Sequence, residues 1–364
     1  MEYRELGSTG LKVSRIGLGG FAFSITTRKE SERAIHRALD LGINYFDNAR
    51  LYGTENKVGS ALKGRRDKVV IASKCHFRDP REIESSLEKS LRELSTDYID
   101  IYHIHDVKSE EEFFEIIKPG GVLETYERFK REGKIRFIGA TGHDNQALVR
   151  ILKTGRVDLV MGRYNPLTRD VENSVIPLTR RLGKGFIVIS ALAWGIFSVP
   201  AEAYPFEIAG KDFPAAEASF RYILSNPDVD VVLAGVKNER EIEELVTLLE
   251  LPPLNEKEKA RVVWDSMGLG KGSGCTQCGV CMPCPEGIDI PLYFRYMTYL
   301  KEYHSDQYPA LTWQAYAPPF SKACTECGVC IERCPFELPI IETLREVDSI
   351  AEKMRHPTYR DEYD

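Results

Sequence analysis

Residues 44–52 read Asn-Tyr-Phe-Asp-Asn-Ala-Arg-Leu-Tyr. A short apolar run reaches a carboxylate at Asp47, and a tyrosine follows five residues later, at Tyr52, in a turn that Gly53 bounds. An acid at a strand end and a tyrosine in the next loop suit proton transfer. A buried, hydrogen-bonded aspartate and a half-buried loop tyrosine would give the same pattern, so the rest of the chain has to decide between the two interpretations.

The first 250 residues alternate short β-branched runs with longer amphipathic stretches. The predicted strands are Ser14–Gly20, Asn44–Asn48, Lys68–Lys74, Asp100–Asp106, Lys134–Thr141, Asp158–Asn165, Gly185–Leu192 and Val231–Val236. The predicted helices are Ser31–Asp40, Arg81–Leu94, Val122–Arg131, Asn145–Lys153, Val171–Leu182, Ala215–Ser225 and Glu239–Glu250. This alternation predicts an α/β fold, a (β/α)8 TIM barrel.

The alternative fold is a doubly wound open sheet. That fold would carry a Gly-x-Gly-x-x-Gly turn after its first strand. Residues 17–21 read Gly-Leu-Gly-Gly-Phe, which does not match, and the chain has no Walker-type phosphate loop. The barrel is therefore favoured.

Composition limits the class of function. The chain has 364 residues, 43% of them hydrophobic and 29% charged, with a formal net charge of −6. A sequence pI near 5.8 argues against a dedicated nucleic-acid binder. No window approaches 18 apolar residues, so we expect no membrane span. The first residues lack the basic and apolar regions of a signal peptide, and a cytoplasmic location is expected.

In a barrel of this type, chemistry collects at the C-terminal ends of the strands. Three successive predicted strands end at Asp47, Lys74 and His105, and Tyr52 follows the first of them. Period-two alternation lets Lys74 and His105 point inward. His103 shares the face of His105 one layer deeper, where we expect a core histidine whose hydrogen bonds are satisfied.

These four groups suit the reduction of a carbonyl. Hydride addition leaves an alkoxide that needs a proton, and a free tyrosine, with a pKa near 10, is a poor donor at neutral pH. A nearby ammonium favours the phenolate and so eases proton transfer. A carboxylate holds that ammonium charged, and a histidine N–H can polarise the carbonyl.

From Tyr3 to about Glu250 the sequence resembles the aldo-keto reductases. Residues 6–14, Leu-Gly-Ser-Thr-Gly-Leu-Lys-Val-Ser, are similar to the hairpin that closes the floor of that family's barrel. Residues 44–47 with 51–53, 73–74 and 97–105 match the family's catalytic motifs. The resemblance implies that Tyr52 is the general acid/base, that Lys74 and Asp47 tune it, and that His105 orients the carbonyl of an aldehyde or ketone.

The resemblance also implies an NADP(H) site, with NAD(H) as the alternative. The cofactor positions that it implies are Gly20, Phe21, Asp47, Thr141, Ser190, Leu192, Gly235, Lys237, Arg240 and Glu244. Residues 235–240 resemble the family's adenosine-phosphate loop, where a cation would pair with the 2′-phosphate; Arg240 stands at the family's arginine position and Lys237 is nearby. Several of them depart from the family pattern. The lysine usual before Gly235 is Ala234, Glu244 stands for an adenine-contacting Asn, the stacking Tyr is Ile189, the Ser-Asn pair is Thr141-Gly142, and the assisting Gln is Met161.

Eight of the nine cysteines fall between Cys275 and Cys334, and only Cys75 lies outside. The second run, residues 324–335, has the ferredoxin spacing C-x2-C-x2-C-x3-C-P, and the first, residues 275–285, has x2 before its last cysteine. In two-cluster ferredoxins the cysteine before proline serves the other cluster. That rule assigns Cys275, Cys278, Cys281 and Cys334 to one [4Fe–4S] cluster, and Cys324, Cys327, Cys330 and Cys284 to another. Structural zinc is the alternative, but it favours two C-x2-C pairs.

Two domains follow from these patterns: a barrel, 1–267, and a mostly α-helical, ferredoxin-like dicluster domain, 268–364. Residues 268–274 are predicted to be a flexible linker, with helices at 255–267, 291–303 and 339–353. The whole order resembles aldo-keto reductases that carry a C-terminal 4Fe-4S domain. The expected partners are a small carbonyl substrate and a redox protein. The alternative function is electron transfer, with the barrel as a docking or nucleotide-sensing module.

Overall fold

The computed structural model describes residues 1–108, 110–198, 205–270, 275–276, 278–294, 297 and 324–354. Two compact units make up the chain, each described by itself below. The first contains Met1–Ala191 with Glu217–Lys259, and the second contains Leu192–Ala216 with Ala260–Asp364. The domain boundary between residues 267 and 268 stays a prediction.

Eight parallel strands close into a barrel, which confirms the predicted fold. The described residues contain these strands, of which β1 with β2 and β10 with β11 form two separate antiparallel pairs outside the barrel. They are β1 (Tyr3–Glu5), β2 (Lys12–Ser14), β3 (Ile16–Gly19), β4 (Tyr45–Asp47), β5 (Val70–Cys75), β6 (Ile99–Ile104), β7 (Ile135–Thr141), β8 (Leu159–Arg163), β9 (Gly185–Ile189), β10 (Phe206–Ile208), β11 (Lys211–Phe213) and β12 (Val231–Ala234). The barrel runs β12-β3-β4-β5-β6-β7-β8-β9, in chain order, and β12 closes it by pairing with both β3 and β9.

The described helices are α1 (Arg28–Asp40), α2 (Glu55–Ala61), α3 (Pro80–Leu94), α4 (Glu110–Ile117), α5 (Val122–Arg131), α6 (Asn145–Lys153), α7 (Val175–Leu182), α8 (Ala215–Leu224), α9 (Glu239–Thr247), α10 (Glu256–Gly270), α11 (Val329–Arg333) and α12 (Ile340–Met354). Local chemistry fixes several of their starts. Thr27 and Glu30 form a reciprocal capping box at α1, and Asp79 caps α3 ahead of Pro80.

The sequence pattern missed the short helices α2, α4 and α11 and the β10–β11 hairpin. The helices have five to eight residues, about two turns or fewer, and the two strands have three residues each, so neither gives enough periodicity to stand out from the flanking loops. The predicted linker was also wrong in part, because Gly268–Gly270 form the last turn of α10. The rest of that linker, 271–274, and most of the helix predicted at 291–303 lie outside the described residues.

The barrel interior is an apolar core, not a pore. Inward-facing side chains of β4, β5, β6, β8, β9 and β12 form one cluster with Leu6, Leu11 and Val13 of the N-terminal hairpin. That hairpin, β1 with β2, therefore plugs the N-terminal end of the barrel. Catalytic groups are left to the opposite end, where the strands finish.

Candidate active site

Lys74 and Asp47 form a buried ion pair at the C-terminal ends of β5 and β4. The Lys74 Nζ donates to Asp47 Oδ2 at 2.5 Å and to the Asn48 carbonyl at 2.7 Å. Both charged side chains are almost fully buried, at 2% and 4% exposure. Burial raises the pKa of Asp47 and lowers the pKa of Lys74, and the ion pair opposes both shifts. Because the two charges hold each other in place, neither is stable there alone.

Tyr52 lies over this ion pair. It ends a short 3-10 turn, Arg50–Tyr52, that leaves β4, and the Lys74 Nζ is 5.0 Å from the centroid of its ring. Phe21 packs edge-on against the ring at 5.3 Å between centroids. The ring of His105 lies 6.2 Å away at an interplanar angle of 84°. The fold therefore brings together all four residues that the sequence nominated for catalysis.

His105 is a neutral imidazole in this setting. Burial lowers its pKa to about 3, and the positive charge of Lys74 acts in the same direction. Its Nδ1 has no hydrogen-bond partner within the described part of the chain. A neutral imidazole offers one N–H donor and one acceptor. The residue can therefore donate to a carbonyl oxygen without carrying a charge of its own.

His103 is fully buried, as predicted, but the expected hydrogen bonds are not there. Neither ring nitrogen has a partner among the described residues. Burial takes the pKa of His103 well below its ordinary value, and Lys74 adds to the shift. The ring occupies the space that Gly139 leaves on the neighbouring strand, where a Cβ would lie 2.2 Å from the His103 Nδ1.

A polar network behind the site escaped the sequence analysis. Glu55, at 0% exposure, accepts a hydrogen bond from Ser73 Oγ at 2.6 Å and pairs with Arg50. Arg50 also forms a forked pair with Glu93, at 2.7 and 2.9 Å. Arg50 begins the turn that carries Tyr52, and Ser73 precedes Lys74. The network thus ties the tyrosine turn to the lysine strand, which no local pattern in the sequence could indicate.

Several predicted cofactor residues line the same end of the barrel. Gly20 follows β3 where a Cβ would meet the Asp47 carbonyl at 2.9 Å, so only glycine fits there. Thr141 ends β7 and its Oγ1 accepts from the Asp106 N–H at 2.8 Å. Ser190 follows β9 in a left-handed conformation, with φ of 56°, and its carbonyl accepts from Asn165. Leu192 belongs to the second unit and is not placed against them.

The predicted 2′-phosphate loop follows β12. Asn238 caps α9, and the Glu241 carboxylate accepts from the Lys237 N–H at 2.8 Å. Arg240 is exposed at 87% and pairs with Glu244 at 2.7 Å. The two cations that the sequence offered for a phosphate are therefore present at the surface, but a carboxylate already binds the Arg240 guanidinium.

Cysteines of the two runs in the second unit lie near one another, and their division into two ligand sets stays a prediction. Burial raises the pKa of Cys281 to about 12, and Cys278, Cys334 and Cys330 act on it in the same direction. Burial likewise raises the pKa of Cys330, with added effects of Cys324 and Cys284. A cavity is lined by Cys281, Cys284, Cys324, Cys327 and Cys330. Several thiols around one cavity fit iron–sulfur ligation, since each cluster is held by four cysteine thiolates. Bound iron would deprotonate these thiols in spite of their raised pKa values.

A model of the aldo/keto reductase family matches residues 15–263. The chain belongs to the aldo/keto reductase family. A model of a 4Fe-4S dicluster domain matches residues 274–339, so the reductase barrel is joined to an iron–sulfur domain. This second match favours iron–sulfur over zinc for the clustered cysteines.

Relatives of this aldo-keto reductase agree with the assignment. An uncharacterized oxidoreductase of Bacillus subtilis, YrpG, is 35% identical over 227 residues, which cover 54% of this chain and 68% of the relative. The L-galactose dehydrogenase of Arabidopsis thaliana is 29% identical over 68% of this chain and 87% of its own length. The holo form of aldo-keto reductase AKR11C1 from Bacillus halodurans has a TM-score of 0.63 at 27% identity, over 73% of this chain and 96% of that one. No described helix is both long and apolar enough to cross a membrane.

Proposed function

We propose that this aldo-keto reductase reduces an aldehyde or ketone with NADPH, or oxidises the corresponding alcohol, and that Tyr52 is its general acid/base. The observation that carries the proposal is the Lys74–Asp47 ion pair beneath the Tyr52 ring, with Lys74 Nζ 5.0 Å from the ring centroid. The nicotinamide, when bound, supplies or accepts the hydride. The chain itself has to orient the carbonyl and move the proton.

In the proposed mechanism His105 and Tyr52 share the carbonyl oxygen. The neutral His105 ring donates an N–H to that oxygen and draws charge from the carbon. Tyr52 Oη gives its proton to the oxygen as the alkoxide forms. Lys74 has three N–H donors, of which two are fixed by Asp47 and Asn48. Its charge stabilises the phenolate as the proton leaves, and Asp47 keeps that charge in place.

Replacement of Tyr52 with Phe tests this mechanism. The change removes the transferable proton and keeps the ring that packs against Phe21. We expect kcat to fall at least about a hundredfold while NADPH still quenches or shifts the protein fluorescence with an unchanged Kd. A matched control is Tyr98→Phe, since Tyr98 stacks with Arg66 and is not among the candidate site residues. Turnover by Tyr52→Phe at the wild-type rate would contradict the proposal.

We further propose two [4Fe–4S] clusters, held by the two crossed sets of four cysteines named above. The crossing rests on the ferredoxin rule. Cys281 and Cys330 each have a cysteine of the other run beside them, so the two runs are close enough to share clusters. Anaerobic purification should give about eight iron and eight sulfide per chain. The variants Cys284→Ser and Cys334→Ser should each lower those counts by about half. If either left both counts unchanged, the crossed assignment would be wrong.

The second candidate function is electron transfer. It is favoured by the Arg240–Glu244 pair, because a carboxylate already holds the cation expected to bind the 2′-phosphate. It predicts reversible cluster reduction and no carbonyl turnover over a broad panel of aldehydes and ketones. A hydride carries two electrons and a cluster takes one, so we propose no direct transfer between the two centres. NADPH and NADH titration of the anaerobic protein distinguishes the two functions.

A further inference from the structure

Asn48 stands between β4 and the turn that carries Tyr52. It directly follows Asp47 and has 0% exposure. Its backbone N–H donates to the Ala72 carbonyl at 2.8 Å, and its own carbonyl accepts from Lys74 Nζ at 2.7 Å. The main chain of Asn48 is therefore fixed to β5 and to the lysine of the candidate active site.

The side chain of Asn48 binds both ends of the tyrosine turn. Its Oδ1 accepts from the Ala49 N–H at 2.8 Å and from Thr54 Oγ1 at 2.9 Å. The orientation of the carboxamide follows from the first contact, because a backbone N–H can only donate. Ala49 precedes the Arg50–Tyr52 turn, and Thr54 precedes α2 on its other side. One carboxamide oxygen thus closes the loop in which Tyr52 lies.

Thr54 uses its hydroxyl for this loop and not for its helix. It is the N-cap residue of α2, where a threonine hydroxyl ordinarily accepts from a backbone N–H of the first turn. Within the described part of the chain its side chain makes no such bond, and the hydroxyl donates to Asn48 Oδ1. Because a missing cap destabilises a helix, this arrangement lowers the stability of α2.

The carboxamide nitrogen of Asn48 brings a second cost. Nδ2 is buried and has no hydrogen-bond partner among the described residues. It lies against Gly20, where a Cβ would be 3.0 Å from both Nδ2 and Cγ of Asn48. A buried donor without an acceptor destabilises the folded state. A turn that serves folding alone does not explain these two losses, whereas a turn that has to hold Tyr52 over Lys74 does.

We propose that Asn48 and Thr54 are positioning residues that set the distance between the Tyr52 ring and the Lys74 ammonium. Asn48 binds the lysine through its carbonyl and the tyrosine turn through its Oδ1, so the two groups move together. Lys74 Nζ is 5.0 Å from the ring centroid, and the effect of a charge on a phenol falls with distance. The inference rests on the proposed function through the roles given to Tyr52 and Lys74.

Thr54→Val tests the Asn48–Thr54 hydrogen bond, since valine has the shape of threonine without the hydroxyl. The readout is the pH titration of the Tyr52 phenol, followed by phenolate absorbance in the full-length, anaerobically purified protein. The chain has 17 tyrosines, so the spectrum of the matching Tyr52→Phe protein is subtracted in each background. We expect the titration to move to higher pH in Thr54→Val, because a more distant ammonium favours the phenolate less. In carbonyl reduction kcat should fall about tenfold at unchanged substrate KM.

Further variants separate positioning from folding. Thr54→Ser keeps the hydroxyl and should titrate like the wild type. Thr179→Val is the matched control, because Thr179 is equally buried on α7 and its Oγ1 donates to the Ile176 carbonyl at 2.8 Å. Asn48→Ala removes the acceptor of both donors and should shift the titration at least as far, and adding Thr54→Val to it should change nothing more. A wild-type titration in both Thr54→Val and Asn48→Ala, or an equal shift in Thr179→Val, would overturn the proposal.

The titration does not depend on turnover, so failure here and failure of the proposed function are separable. A shifted titration in Thr54→Val, together with wild-type turnover by Tyr52→Phe, would refute the proposed function and support the positioning role. An unshifted titration, together with an inactive Tyr52→Phe, would refute the positioning role alone.

Discussion

The Lys74 Nζ lies 5.0 Å from the centroid of the Tyr52 ring while it donates to Asp47 Oδ2 at 2.5 Å. One ammonium thus touches both the proposed proton donor and the carboxylate that keeps it charged. Burying two charges costs desolvation free energy, so a buried ion pair contributes little net stability. The position of this pair beneath a tyrosine therefore points to a role in catalysis. Removing one charge should therefore lower both activity and stability, and removing both charges should restore stability alone.

Lys74→Met should lose activity and stability together. We expect kcat to fall at least about a hundredfold, since Tyr52 loses the neighbouring charge. We expect the free energy of unfolding to fall by about 3–5 kcal/mol, because the Asp47 carboxylate is left buried without a counter-charge. The double variant Lys74→Met with Asp47→Asn should regain most of the stability and none of the activity. Urea unfolding and steady-state kinetics measure the two effects, and wild-type kcat in the single variant would refute the role of Lys74.

Glu55→Gln should weaken the bracing of the tyrosine turn. The change removes a charge at 0% exposure that pairs with Arg50, and it keeps the shape of the side chain. We expect a loss of about 3 kcal/mol in unfolding free energy and a lower kcat at unchanged substrate KM, because Arg50 is left with Glu93 alone.

The matched control for Glu55 is Glu93→Gln. Glu93 is 25% exposed and leaves the buried Arg50–Glu55 contact in place, so its loss should cost about 1 kcal/mol or less. Equal effects of the two variants on unfolding and on kcat would show that the network does not position Tyr52.

The stability of the barrel should fall as the pH falls below about 6.5. His103 and His105 both have a depressed pKa in the folded chain, His105 at about 3. Between the folded and unfolded pKa values the unfolded state binds more protons, so the free energy of unfolding rises with pH in that window. The slope is at most about 1.4 kcal/mol per pH unit for each histidine. His103→Leu should flatten the dependence of urea unfolding between pH 4 and 6.5, whereas a slope equal to that of the wild type would contradict this account.

The sequence predicted the four residues proposed for catalysis but not the polar network of Glu55, Arg50, Glu93 and Ser73 that holds them in position. Asp47, Lys74 and His105 could be assigned to one end of the barrel because the two-residue period of a strand shows which side chains point inward. The ends of the strands can also be recognised from the local sequence. The link from Glu55 to Arg50, Glu93 and Ser73 joins four separate positions through side-chain geometry, and no period reports it. The ring of His103, whose nitrogens have no partner among the described residues, depends in the same way on a glycine of the next strand, Gly139.

Short helices and surface ion pairs could not be predicted from the sequence either. Helix α2 is seven residues long, and a pattern of that length is common in loops. The motif around β12 placed Lys237 and Arg240 where a phosphate could bind, but it could not show that Glu244, one turn away on the same helix, already holds Arg240. The preference for NADPH over NADH therefore depends on whether the 2′-phosphate can compete with Glu244 for Arg240.

That competition gives the last prediction. Glu244→Gln frees the Arg240 guanidinium and keeps the size of the side chain, so NADPH should bind more tightly and NADH should not. The gain is modest, roughly two- to fivefold in Kd, because exposed ion pairs are weak. Arg240→Gln should weaken NADPH binding and leave NADH binding unchanged, since only NADPH carries the 2′-phosphate. Fluorescence titration of both variants with both nucleotides measures the difference. If Glu244→Gln tightened both equally, Arg240 would have no part in binding the 2′-phosphate.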